Sequence, residues 1–105
     1  MRFVETPFFT EAIVELVSDD EYSHLQAALL TRPDLGVVIP GSGGLRKVRW
    51  RAHGRGKHGG LRVIYFWQPN PDVLFMLYAY RKSEAGDLTA SQLRALGRIV
   101  AEEFR

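Results

Sequence analysis

Lys47, Arg49, Arg62, Arg81 and Lys82 occupy the same short segments as Trp50, Tyr65, Trp67, Tyr78 and Tyr80. Cationic side chains neutralise phosphates, and aromatic faces stack unpaired bases, so this mixture suits single-stranded nucleic acid. It also suffices for one reaction. In RNA the 2′-oxygen can attack the adjacent phosphorus. A site must then remove the 2′ proton, balance the added negative charge and protonate the leaving 5′-oxygen. A lysine crowded by other cations has a lowered pKa and can act as the base. Arginines clamp the phosphate in bidentate fashion as its charge grows. A cluster of Lys, Arg and Tyr therefore carries the chemistry without acids, histidines or a metal. The competing reading is that strand aromatics are core, which is the expected place for Trp50 and Tyr65. Tyr80 is better placed for function, because the apolar strand there gives way to Arg81-Lys82.

Charge is distributed unevenly along the 105 residues, although the net formal charge is only +2. Residues 1–34 carry Arg2 and Arg32 against seven acids, a balance of −5. Residues 35–71 carry Arg46, Lys47, Arg49, Arg51, Arg55, Lys57 and Arg62 and no acid, a balance of +7. Residues 72–105 are neutral, five against five. A cationic middle section implies an anionic partner, most simply a phosphate backbone. The bland alternative is a solvated basic loop.

Other chemistries find little support. The chain has no cysteine, which removes disulfides, thiolate metal sites and a thiol nucleophile and fits a reducing cytoplasm. His24, His53 and His58 have no helical i, i+4 partner and no adjacent carboxylate, so no metal or other cofactor is expected. Gly41-Ser42-Gly43-Gly44 precedes a strand where a dinucleotide loop needs a helix. Gly56-Lys57-His58 lacks the upstream glycine and the hydroxyl of a P-loop. No serine sits in a nucleophile elbow, and no pair of acids lies in an apolar stretch. No apolar run reaches membrane-spanning length, and the first residues show no signal-peptide pattern, so a cytoplasmic protein without a membrane partner is expected.

The elements that must position these groups can be read from periodicity and capping. Arg2–Val4 is a short strand. Thr6-Pro7 starts a helix, with Phe9, Ile13 and Leu16 at helical spacing. Ser18-Asp19-Asp20-Glu21 is a capping box that starts a second, whose buried face is Tyr22, Leu25, Ala28 and Leu29. Arg32-Pro33 ends it. Val37-Val38-Ile39 is short and extended. In Leu45–Arg51 strict alternation sets Lys47, Arg49 and Arg51 against Arg46, Val48 and Trp50. His53–Gly60 is a glycine-rich basic loop. Leu61–Trp67 and Val73–Arg81 are strands, joined by a proline-bearing turn. A last helix runs from about Thr89 to Glu103, with Leu93, Leu96, Val100 and Phe104 as its stripe and Thr89 with Gln92 as its capping box. The expected fold is a single α+β domain, residues 1–105, in the order β-α-α-β-β-β-α. Its late strands form an antiparallel meander, with helices on one sheet face and the cations on the other.

Four segments, in order, resemble the RelE/HigB toxins of bacterial type II toxin–antitoxin systems, closest to their HigB-like branch. They are Gly43-Gly44-Leu45-Arg46-Lys47-Val48-Arg49-Trp50, Gly59-Gly60-Leu61-Arg62-Val63-Ile64-Tyr65, Tyr78-Ala79-Tyr80-Arg81-Lys82-Ser83-Glu84 and Asp87-Leu88-Thr89. The resemblance covers residue 36 onward; the helical first third matches in pattern. It implies a RelE-like, microbial-RNase-like fold and ribosome-dependent endonuclease activity, an mRNA interferase that cuts mRNA in the ribosomal A site. It also implies neutralisation by a cognate antitoxin, expected to be a helix-turn-helix, HigA-like protein.

The resemblance assigns roles by position. Lys47 and Arg49 fall where the family places its base and a phosphate clamp. Arg62 falls on the transition-state clamp. Lys82, or Arg81 in a register one residue away, falls on the basic residue that acts as acid or charge stabiliser. Arg51, Arg55, Lys57, Tyr80 and Arg81 are then expected to bind RNA. The sequence departs at Arg49, where relatives often have lysine and where arginine is a poor base. No tyrosine matches the one some relatives carry in the C-terminal helix; Tyr80 is the candidate for its stacking role. The alternative function is a non-catalytic basic RNA-binding domain, or a toxin relative that blocks a protein target such as a topoisomerase.

Overall fold

A computed structural model describes residues 1–51 and 60–103 of the chain. The elements are β1 (Arg2–Glu5), α1 (Pro7–Leu16), α2 (Asp19–Thr31), β2 (Val37–Val38), β3 (Arg46–Trp50), β4 (Leu61–Gln68), β5 (Val73–Arg81), α3 (Lys82–Ala85) and α4 (Ala90–Glu103). The local signals act as expected. Thr6 caps α1, its hydroxyl accepting from Phe9 N at 3.0 Å. Ser18 and Glu21 close a reciprocal capping box on α2. Thr89 and Gln92 do the same at the start of α4.

The strands form one five-stranded sheet in the order β1-β5-β4-β3-β2. β2 to β5 are antiparallel neighbours, as short connections require. β1 pairs parallel with β5, so the sheet is mixed and not antiparallel throughout. A long stretch of chain separates β1 from β5, so no tight turn dictates its direction. The two-residue strand β2 and the single-turn helix α3 are additions to the expected order.

Both sheet faces carry helices, which corrects the expectation of one helical and one open basic face. On one face Phe9 and Ile13 of α1 and Leu25 and Leu29 of α2 pack on Val48, Val63, Tyr65, Leu74, Met76 and Ala79. On the other, Leu96 and Val100 of α4 pack on Leu45, Ile64, Phe75, Leu77 and Tyr80. The stripe read from α4 needed an apolar partner, and the alternation of β4 supplies one on each side. Lys47 and Arg49 of β3 thus share their face with α4, while Arg46 lies opposite Tyr65 on the other face.

An irregularity in β5 sets what this face presents. Tyr65 pairs with Met76 and Ile64 with Tyr78, so Leu77 is one residue extra. Phe75 before it and Leu77 itself join the α4 cluster, and so do Tyr78 and Tyr80 after it. A bulge of this kind resets the period-two alternation of the strand. Thr6 holds the spot. Its backbone N–H donates to Met76 O at 3.0 Å and its hydroxyl to Leu77 O at 2.8 Å.

Two glycines mark close backbone approaches. A Cβ on Gly36 would lie 2.8 Å from the Tyr65 ring and 3.1 Å from the Lys47 carbonyl carbon. Gly60 has φ of +76°, and a Cβ there would lie 2.7 Å from Trp50 O. Between them these residues let the chain pass tightly at both ends of β3.

Candidate nucleic-acid interface

Strand register builds the site. Arg49 of β3 stands opposite Arg62 of β4, and Arg62 stands opposite Tyr80 of β5. One step along, Lys47 faces Ile64, and Ile64 faces Tyr78. Lys47, Arg49, Arg62, Tyr78 and Tyr80 therefore share one end of the α4 face. Like charges directly opposite on neighbouring strands are destabilising.

The row is graded in exposure. Arg49 is exposed, Lys47 is half-buried, and Arg62 is only 6% exposed. The Arg62 Nη1 lies 3.5 Å from Leu61 O, the carbonyl of the preceding residue. Tyr80 is 5% exposed, and its ring stacks on Tyr78 with centroids 6.1 Å apart at 24°. Burial pushes the Tyr80 phenol above its ordinary range. The carboxylate of Asp87 pushes it the same way, and Arg62 opposes. Tyr80 is therefore a neutral hydroxyl beside a cation at physiological pH.

Asp87 was not singled out in the sequence. It pairs with Lys47, Nζ to Oδ1 at 3.4 Å, across forty residues of chain. The signal was present only as a lone acid in the Asp87-Leu88-Thr89 segment, and nothing in that segment specifies which cation it meets. The pair is open to solvent, so its worth to stability is about 0–1 kcal/mol. Its consequence is local: one carboxylate offsets part of the positive charge at this end of the sheet.

The remaining candidates are placed differently. Arg51 lies one residue beyond β3 and is exposed. Lys82 follows the last residue of β5, opens α3 and is exposed. Arg81, the alternative at that position, is the last residue of β5 and pairs with Leu61, a residue of the α1–α2 cluster. Its Nη2 donates to Leu16 O at 3.2 Å, which ties β5 to the end of α1. Arg81 thus belongs to the opposite face from Arg62, and alternation after the bulge is the reason. Arg55 and Lys57 lie outside the described residues, as do His53, His58 and Phe104. Tyr65 is fully buried, as expected of a core aromatic, and Trp50 packs against the same cluster.

Among the described residues no group of three or more His, Asp or Glu side chains is gathered as a metal site would require. No helix among them is long and apolar enough to cross a membrane. No family model matches the chain.

Proposed function

We propose that this protein is a RelE/HigB-like endoribonuclease that cleaves mRNA on the ribosome by 2′-oxygen attack. The observation that carries the reading is the row Arg49–Arg62–Tyr80 with Lys47 beside it. Two arginines at facing strand positions, one of them buried, have a reason if a phosphate sits among them. Backbone pairing on both sides of β4 fixes the position of Arg62, and burial restricts its side chain. A donor fixed in advance stabilises developing phosphorane charge without reorganising during the reaction. Arg49, more exposed, takes a non-bridging oxygen of the incoming strand. Lys47, where the resemblance puts the base, accepts the 2′ proton in its deprotonated form, and the neutral Tyr80 hydroxyl offers a further donor next to Arg62. Lys82, at the start of α3, is the candidate to meet the leaving 5′-oxygen. The order and spacing of the four segments that resemble the toxin family support the same reading. Neutralisation by a helix-turn-helix antitoxin follows from the resemblance and from the cationic face, which suits an acidic partner segment.

The mechanism is tested by the substrate. The parent protein should cut mRNA on programmed ribosomes and leave a 5′-hydroxyl on the downstream fragment. A single 2′-deoxy substitution at the cleaved nucleotide should abolish cutting there. Cleavage of the deoxy substrate at the same bond would rule out 2′-oxygen attack.

A further inference from the structure

The Lys47–Asp87 ion pair brings a carboxylate to the cation row, and the reaction proposed above gives that carboxylate no part. Lys47 Nζ lies 3.4 Å from Asp87 Oδ1. The Lys47 side chain is 29% exposed and that of Asp87 70%, so the pair stands at the margin of the row, open to whatever approaches from solvent. Asp87 also acts on the next strand: its charge bears on the Tyr80 phenol, in opposition to Arg62. Arg62 in turn stands opposite both Arg49 and Tyr80. The carboxylate is thus placed against the same cations that a phosphate on the row would meet.

The chain around Asp87 holds it there. α3 stops after one turn at Gly86, whose φ of 64° lies in the left-handed region that favours glycine. A Cβ on Gly86 would meet nothing within 4 Å, so this glycine serves the path of the backbone and not packing. Directly after Asp87, Leu88 packs in the α4 cluster. Thr89 N then donates to the Gln92 side-chain oxygen at 2.8 Å, closing the cap of α4. The backbone of Asp87 is therefore fixed between a glycine turn and a capped helix, while its side chain stays exposed.

We propose that Asp87 occupies the phosphate's place in the free protein and competes with an incoming strand for Lys47. The proposal rests on the nucleic-acid reading of the row and makes Asp87 a specificity residue for it, with no part in the chemistry. An exposed ion pair is weak, so a phosphate that Arg49 and Arg62 also hold can displace the carboxylate. An anion that reaches Lys47 alone gains little, because it replaces one negative group with another. Strands that engage the arginines at the same time are favoured over isolated anions. The exchange leaves a mark in the salt dependence. Each lysine that meets a phosphate of a single strand releases counterions and adds about 0.7 to the slope of log affinity against log salt. Where Asp87 must first be displaced, the bared carboxylate takes up a cation, and that contact adds little.

The test measures binding of a short single-stranded oligodeoxynucleotide to the whole chain by fluorescence anisotropy, over a range of potassium chloride concentrations. This probe lacks the 2′-hydroxyl and is not cut by 2′-oxygen attack. Asp87→Asn should bind it up to about fivefold tighter at ~0.1 M salt, the scale of one exposed ion pair. Its slope should be steeper than the parent's by about 0.7. In a Lys47→Met background the same Asp87→Asn change should lose most of both effects, since no lysine is left to contest. An unchanged slope in Asp87→Asn would overturn the proposal, because a purely structural role for the pair leaves the slope where it was. So would an equal gain in the Lys47→Met background, which would reduce Asp87 to a source of general repulsion. If neither the parent nor Asp87→Asn binds the probe, the nucleic-acid reading itself fails. If the parent binds and Asp87→Asn matches it, that reading stands and the role of Asp87 alone is lost.

Discussion

Single side chains in this protein are held by polar contacts that extend well beyond their own elements. The Tyr65 hydroxyl donates to Pro33 O at 2.7 Å and accepts from Gly36 N at 2.8 Å. It thereby anchors the chain between α2 and β2 to the centre of the sheet. Tyr65→Phe leaves both backbone groups without that partner and should cost about 1–3 kcal/mol in urea unfolding. Burial raises the Tyr65 phenol above its ordinary value. The folded state therefore favours the neutral form. Its contribution is complete below the unfolded phenol's range near pH ~10 and is lost as pH rises through the higher folded value. Tyr22, raised by burial and by its hydrogen bond to Glu5, adds to the same trend. Unfolding followed against pH should thus show stability falling in the alkaline range, with a shallower fall in Tyr65→Phe. An equally steep fall in that variant would assign the loss to other groups.

At the scale of elements, the bulge in β5 decides which aromatics meet the arginines. Thr6 serves two elements at once, capping α1 and bonding the carbonyl of Leu77. Thr6→Val keeps the shape and removes both bonds, one of them at a 4% exposed position. It should destabilise by about 1–3 kcal/mol, and the change should appear in amide exchange around Tyr78 and Tyr80 as well as in α1. Confinement of the effect to α1 would show that the bulge does not depend on Thr6. The bulge also explains what the sequence revealed and what it did not. Helix caps and the face of β3 were legible, because Ser18-x-x-Glu21 and the Lys47/Arg49 alternation are local patterns with one outcome. Val73–Arg81 is apolar nearly throughout, so no alternation marked the extra residue at Leu77. Arg81, which the resemblance put among the RNA-binding residues, reaches Leu16 on the side opposite Arg62. The parallel placement of β1 and the covering of the second face by α4 were equally hidden, since both depend on long-range packing.

For the whole molecule, the separation of charge between an acidic first third and a cationic middle gives the sheet end with Lys47, Arg49 and Arg62 its character. A partner that neutralises the protein should bring carboxylates to that end. If the proposed toxin function holds, expression of the chain alone in bacteria should slow growth, and co-expression of the protein encoded by the neighbouring gene should restore it. Normal growth with abundant folded protein would count against toxicity. The most direct measurement is single-turnover cleavage of mRNA on programmed ribosomes by the parent and by Arg62→Ala, with folding of both verified by circular dichroism. Loss of a preorganised donor to the transition state should lower the rate about 100- to 1,000-fold. A folded Arg62→Ala that cleaves at the parent rate, or a parent that does not cleave at all, would contradict the account.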